Sequence, residues 1–230
     1  MRAARGAFVA FLDDDEIAEA DWLAALLATI EATGADVAFG AVVSDFPDGP
    51  PAWDPAGRSF NRVLSRPSGS AMGLHHDTSV SGRWIGTGNS LIRVATCFRR
   101  ADPFDPRFGR CGGEDFDFFK RLDADGRRFV WCPEAVVHEH TPGNRTSLGY
   151  MTYRSFRAGQ SLMAVRLKNA RRPLAVGFDL LARGAAQIVL LVPVVLAAPA
   201  LPERLRHRGR MRLAEACGRF WWWRLPLSYR

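Results

Sequence analysis

Near the start of the chain six apolar residues, Ala7-Phe8-Val9-Ala10-Phe11-Leu12, run without polar alternation and end abruptly in Asp13-Asp14-Asp15-Glu16. An uninterrupted run of this length predicts a strand buried on both faces, with four carboxylates emerging where it ends. Trp22, Leu23, Leu26, Leu27 and Ile30 then recur at helical spacing, with Asp21 placed as N-cap and Gly34 as the stop. Asp36 to Val43 reads as another buried strand. Strand, acids, helix, strand is a βαβ-like order, and it argues for a doubly wound α/β sheet. In open sheets of this kind ligands bind at the strand ends, and adjacent acids there repel one another unless a cation or ligand offsets the charge.

The rhythm breaks over residues 44–83, where Pro47, Pro50, Pro51, Pro55, Pro67 and five glycines predict a long substrate-facing loop. His75 and His76 fall within it and carry no assigned role. A strand is expected from Ser90 to Val94. A helix is expected from Glu114 to Ala124, after Gly112-Gly113 and before Gly126. Two short strands follow, near Phe129 to Trp131 and Ala135 to Val137, and lead into His138-Glu139-His140. A long basic helix then runs from about Ser147 to Asn169.

Charge divides the chain unevenly. Residues 1–153 carry 16 Lys and Arg against 21 Asp and Glu, whereas residues 154–230 carry 15 against 3. The basic part is interleaved with aliphatic residues, and Ala185 to Leu201 contains no charge at all. As a helix this stretch spans roughly 26 Å, slightly short of a bilayer core. Arginines on both flanks favour a re-entrant or interfacial helix with both ends cytoplasmic, and Phe220-Trp221-Trp222-Trp223 adds interface-seeking aromatics. Nucleic acid is disfavoured, because aromatic and basic residues are separated by aliphatic runs rather than displayed in one groove. Cys97, Cys111, Cys132 and Cys217 show no zinc-type spacing, and residues 1–20 show no signal-peptide pattern, so a reduced cytosolic compartment fits.

Two clusters carry candidate chemistry. In an extended chain Asp13 and Asp15 point the same way and Asp14 the other, and two hard oxygen donors suit Mg²⁺ or Mn²⁺ carried on a diphosphate. The competing explanation is a helix-entry loop whose acids complement the macrodipole, which accounts for Glu16, Glu19 and Asp21. Glu114, Asp115 and Asp117 fall at a helix N-terminus, where the dipole favours the ionised form, and an acid there can take a proton from an attacking hydroxyl. Their alternative role is a charged helix start with Phe116, Phe118 and Phe119 as core anchors. His138 is a candidate metal ligand at the end of its strand, and His140 would project to the same side.

Taken in order, these parts resemble the family 2 glycosyltransferases of the GT-A fold. The matching stretches are Ala7 to Asp15 with Asp21-Trp22-Leu23, Phe104-Asp105-Pro106-Arg107-Phe108, and Gly112-Gly113-Glu114-Asp115-Phe116-Asp117 through Leu122. Thr87-Gly88-Asn89 and Arg154-Ser155-Phe156-Arg157-Ala158-Gly159-Gln160 are similar to the branch that builds succinoglycan-type bacterial exopolysaccharides.

The resemblance implies a Rossmann-like mixed sheet in a partial GT-A domain over residues 1–165, and a membrane-associated C-terminal region over 166–230. It implies inverting transfer of a sugar from a nucleotide-diphosphate donor, UDP-sugar first, to a lipid-linked or saccharide acceptor at the cytoplasmic face of the bacterial inner membrane. Carried over, Asp13, Asp14, Asp15, Gly88 and Asn89 contact the donor. Asp13, Asp15 and His138 hold the divalent cation. Asp115 is the base, supported by Glu114. Relatives place a strand and a nucleotide-recognising βα unit before the aspartate motif, whereas Met1 lies just ahead of it here. The leading strands are therefore expected to be missing, and the chain by itself is expected to bind donor poorly and turn over weakly or not at all. A noncatalytic sugar-nucleotide-binding remnant and a metal-dependent phosphoesterase are the competing functions.

Overall fold

The computed structural model describes residues 4–74, 85–100, 102–109, 112–196 and 202–224. His75, His76 and Cys111 lie outside the described residues. The chain divides into two compact units, the first of residues up to 47, 57–104 and 118–141, the second of 48–56, 105–117 and 142 onward. This division interleaves along the chain.

The first unit is built on a mixed sheet. Its strands are β1 (Phe8–Phe11), β2 (Glu16–Ala18), β3 (Val37–Asp45), β4 (Ala71–Met72), β5 (Ser90–Arg93) and β6 (Phe129–His140). They lie in the order β1-β5-β3-β6-β2, with β4 beside the first half of β6. Among the described residues only β3 and β6 are parallel neighbours; the other pairs are antiparallel. The mixed α/β class is therefore as the sequence predicts, but β1 differs from expectation. Among the described residues it lies at the edge and pairs only with β5, and Ala10 is exposed. The apolar run marks a half-covered edge instead of a strand buried on both faces.

Helix α1 (Trp22–Thr33) ends as its composition predicts, with Gly34 at φ 64 and its N–H returned to the Ile30 carbonyl. Leu26 and Ile30 pack into a buried cluster with Ala35, Ala38, Leu91, Val130, Cys132 and Ala135. Leu23 points outward and is half exposed, so it does not share that face. Alternation along β3 sends Phe39 to the other side, where its ring meets Phe119 edge-on at 5.0 Å and Phe129 at 5.9 Å. Each of these fully buried aromatics contributes on the order of 2 kcal/mol of transfer free energy. α2 (Val94–Cys97) is a single turn after β5, and α3 (Glu114–Ala124) runs across the boundary of the two units.

One further expectation is corrected. The two short strands after residue 128 are one bulged strand, β6, whose register against β3 jumps from Gly40↔Cys132 to Ala41↔Val136. The proline-rich stretch is tied to the sheet where it is described. Arg62 and Val42 exchange two backbone hydrogen bonds, Asn61 Oδ1 accepts from the Ser44 N–H, and the Trp131 indole donates to the Leu64 carbonyl.

The second unit is helical: α4 (Gly143–Thr146), α5 (Leu148–Lys168), α6 (Pro173–Leu196) and α7 (Glu203–Phe220). Ser147 caps α5 by accepting from the Tyr150 N–H. Among the described residues, α6 is the one helix long and apolar enough to cross a membrane by length and composition, with Pro193 inside it. Leu174, Phe178, Val189, Leu190 and Leu196 on this helix are exposed.

Candidate active site

Asp13 to Glu16 form a tight turn at the end of β1, closed by the Glu16 N–H donating to the Asp13 carbonyl at 3.1 Å. This replaces the extended conformation on which the shared orientation of Asp13 and Asp15 was expected to rest. Glu16 is not a helix-entry acid; it opens β2 and is buried. Its Oε2 accepts from the Asp13 N–H at 3.0 Å and its Oε1 from Arg62 Nη2 at 3.0 Å. Burial pushes the Glu16 carboxyl up, and Asp13 N–H and Arg62 pull against that. Asp13 and Asp14 remain exposed and Asp15 partly so. The Asp15 carbonyl accepts from the His140 N–H at 2.7 Å, which ties the turn to the end of β6.

Gly88 lies against this turn. A Cβ added there would stand 2.8 Å from Asp13 Cγ, closer than real side chains approach, so the Asp13 carboxylate occupies space that only a glycine leaves open. Asn89 follows with φ 54 and is buried. Its Nδ2 donates to the Ala41 carbonyl at 2.7 Å and to the Ala135 carbonyl at 2.9 Å, while its Oδ1 accepts from the Trp22 indole at 2.7 Å. The amide thus stitches the β6 bulge to β3 and α1, and Gly40 makes room for it. Asn89 acts here by positioning Gly88, since both of its N–H groups are already committed to the protein.

His138 stands in register with Ile17 of β2, and its Nε2 lies 3.1 Å from Glu19 Oε1. Among the described residues no three His, Cys, Asp or Glu side chains are gathered where one metal ion could hold them. A divalent ion carried on phosphates needs only one or two carboxylates from the protein. Burial pushes the Cys97 thiol up to about 11 and raises Cys132 and Cys217 as well, which favours their protonated forms.

The second cluster belongs to the other unit. Gly112 and Gly113, at φ 75 and 106, turn the chain into α3. Ser161 of α5 holds that turn, donating its hydroxyl to the Gly112 carbonyl at 3.1 Å. Asp117 is 0% exposed. Lys168 Nζ lies 2.8 Å from both of its oxygens and 2.6 Å from Asp105, and Asn169 donates to Asp117 at 2.8 Å. Asp105 also accepts from the Arg107 guanidinium at 2.7 Å, and these cations hold its carboxyl well below the usual range. Asp117 is therefore an anchor. Glu114 is different: its Oε2 is buried with no hydrogen-bond partner among the described residues, and burial followed by the neighbouring Asp115 raises its proton affinity. Desolvation outweighs the helix dipole at this position.

Arg62, Lys168 and Asn169 are the supporting residues that sequence reasoning missed. Asp117 and Lys168 are 51 residues apart, and nothing local pairs them.

Residues 1–85 match the family model described as glycosyl transferase family 2. The chain is 32% identical over 208 residues to the succinoglycan biosynthesis protein ExoM of Rhizobium meliloti (strain 1021), covering 89% of this chain and 62% of that protein. It thus spans less than two thirds of the length of this curated relative. A crystal structure of S. aureus TarS 1-349 in complex with UDP aligns over 100% of this chain and 70% of that one, at 15% identity and a TM-score of 0.45. The chain is a family 2 glycosyltransferase relative of the succinoglycan type.

Proposed function

We propose that this chain transfers a sugar from a nucleotide-diphosphate donor, a UDP-sugar first, to a lipid-linked or saccharide acceptor in bacterial polysaccharide biosynthesis, with inversion. The observation that carries the reading is the Asp13-Asp14-Asp15 turn, which lies inside the segment that matches the family and is buttressed by buried Glu16 and seated against Gly88. Asp13 and Asp15 would hold a divalent cation, Mn²⁺ or Mg²⁺, which when bound supplies positive charge for the departing diphosphate. Asp14, Gly88 and Asn89 shape the donor side, Asn89 through the backbone it fixes; His138, paired with Glu19, is a further candidate ligand.

Asp115 takes the proton from the acceptor hydroxyl, with Glu114 beside it orienting the acceptor. Inversion needs one base opposite the leaving group and no covalent enzyme intermediate. The buried, unpartnered Oε2 and raised proton affinity of Glu114 favour a second assignment in which Glu114 is itself the base. The apolar face of α6 and the arginines of α7 support placement on an anionic membrane surface, the cytoplasmic face of the inner membrane.

The test is Mn²⁺-dependent UDP-sugar turnover by wild type, Asp15→Ala, Asp115→Asn and Glu114→Gln. Loss of a general base lowers kcat by about 10² to 10⁴. Measurable wild-type turnover with equal rates in all four proteins ends the assignment; which of Asp115→Asn and Glu114→Gln loses the basic limb of the pH profile identifies the base.

A further inference from the structure

Tyr153, Phe156, Arg157 and Gln160 recur at i, i+3, i+4 and i+7 and so occupy one face of α5. Together with Trp221 and Arg224 they line an open cavity of about 520 Å³ in the second unit. Its position follows from a close helix crossing. A Cβ at Gly159 would collide with the Glu215 carbonyl of α7, and one at Gly218 would lie 3.0 Å from the Phe156 carbonyl carbon, so α5 and α7 meet backbone to backbone. Buried Gln160 donates to the Trp221 carbonyl at 2.8 Å, which fixes the chain as it leaves α7 and sets Trp221 and Arg224 beside the α5 face.

The lining combines two guanidinium groups with the rings of Tyr153 and Trp221, both exposed. Guanidinium forks match phosphate oxygens bidentately, and exposed amphipathic rings pack against sugar faces. The apolar α6 adjoins the same place: Gly184 lets it approach Phe220, the residue before Trp221, with 3.0 Å between a Cβ built there and Phe220 Cε2. Ser161, the residue after Gln160, holds Gly112, so the cavity and the Glu114-Asp115 helix start are mounted on one turn of α5.

We propose that this cavity binds the phosphate-bearing part of the acceptor, a lipid-linked saccharide diphosphate, with Arg157 and Arg224 on the phosphates and Tyr153 and Trp221 against the adjoining sugar. This rests on the glycosyl-transfer reading for the identity of the acceptor, and extends it by separating the acceptor's anionic site from the donor's.

The test titrates the full chain with farnesyl diphosphate, using inorganic pyrophosphate and farnesol as its separated halves, and follows tryptophan fluorescence and calorimetry. Farnesyl diphosphate should bind at least about tenfold tighter than either half. The Arg157→Gln/Arg224→Gln double variant should weaken it by about tenfold or more at unchanged melting temperature, with the exposed single variant Arg224→Gln in between. Uridine diphosphate should not displace the probe. No binding by wild type, unchanged affinity in the double variant, or displacement by uridine diphosphate would overturn the proposal, and so would pyrophosphate binding as tightly as the lipid diphosphate. Intact probe binding in a chain that transfers no sugar would count against the proposed function alone.

Discussion

The two acidic clusters share a composition and differ in how they are held. The turn at Asp13 to Glu16 is secured by backbone, with one buried acid, Glu16, receiving the Asp13 N–H and the Arg62 guanidinium. The start of α3 is secured by side chains, with one buried acid, Asp117, clamped by Lys168 and Asn169. In each case the fully enclosed acid is the fastening and its more exposed neighbours are left to meet a ligand. Burying a carboxylate demands a partner, and the partner immobilises the segment. A count of acids therefore overstates the number available for chemistry.

Removing the clamp of the second cluster is the strongest way to break this contrast. Lys168→Met removes the ammonium that lies between Asp117 and Asp105 and should cost about 3 kcal/mol in chemical denaturation. If stability is unchanged, Asp117 is not an anchor. The corresponding lesion in the first cluster attacks geometry and leaves folding intact. Gly88→Ala forces the Asp13 carboxylate aside and should lower transfer by about tenfold or more, with a melting temperature close to wild type. A smaller effect is expected of Arg62→Met, which leaves Glu16 its backbone partner. A loss of about 1 kcal/mol, together with weaker Mn²⁺ binding, would show that the pair steadies the turn.

The smallest effects are in pH dependence, and their signs separate the residues. Glu114 and Glu16 bind a proton more tightly folded than unfolded. The stability they contribute is complete below the ordinary value of 4.5 and lost as pH rises through their raised values. Asp105 is the reverse: its contribution is present above 3.8 and lost as pH falls through its lowered value. Stability profiles should therefore flatten above pH 4.5 in Glu114→Gln and on the acid limb in Asp105→Asn. The opposite pattern would reverse the roles assigned to burial and to the Arg107 and Lys168 cations.

Much of the first unit was legible in residue order. Gly34 ends α1, the apolar run from Val37 yields a buried β3, and Gly126 stops α3, because caps and periodicity are local signals. The strand before Asp13 was legible as a strand but not as an edge. The tract after residue 128 was legible as strand but not as one bulged element. Both depend on which strands pair, and a neighbour in a sheet leaves no mark on the strand beside it.

For the site the same boundary holds. Sequence alone determined where the carboxylates lie: after β1, at the start of α3, and beside glycines that permit close approach. Only the tertiary structure decided which acids are enclosed, because Glu16 meets Arg62 and Asp117 meets Lys168 across long stretches of chain. Desolvation, which raises Glu114 where a helix dipole alone would lower it, is a property of everything packed around a group rather than of the residues next to it in sequence.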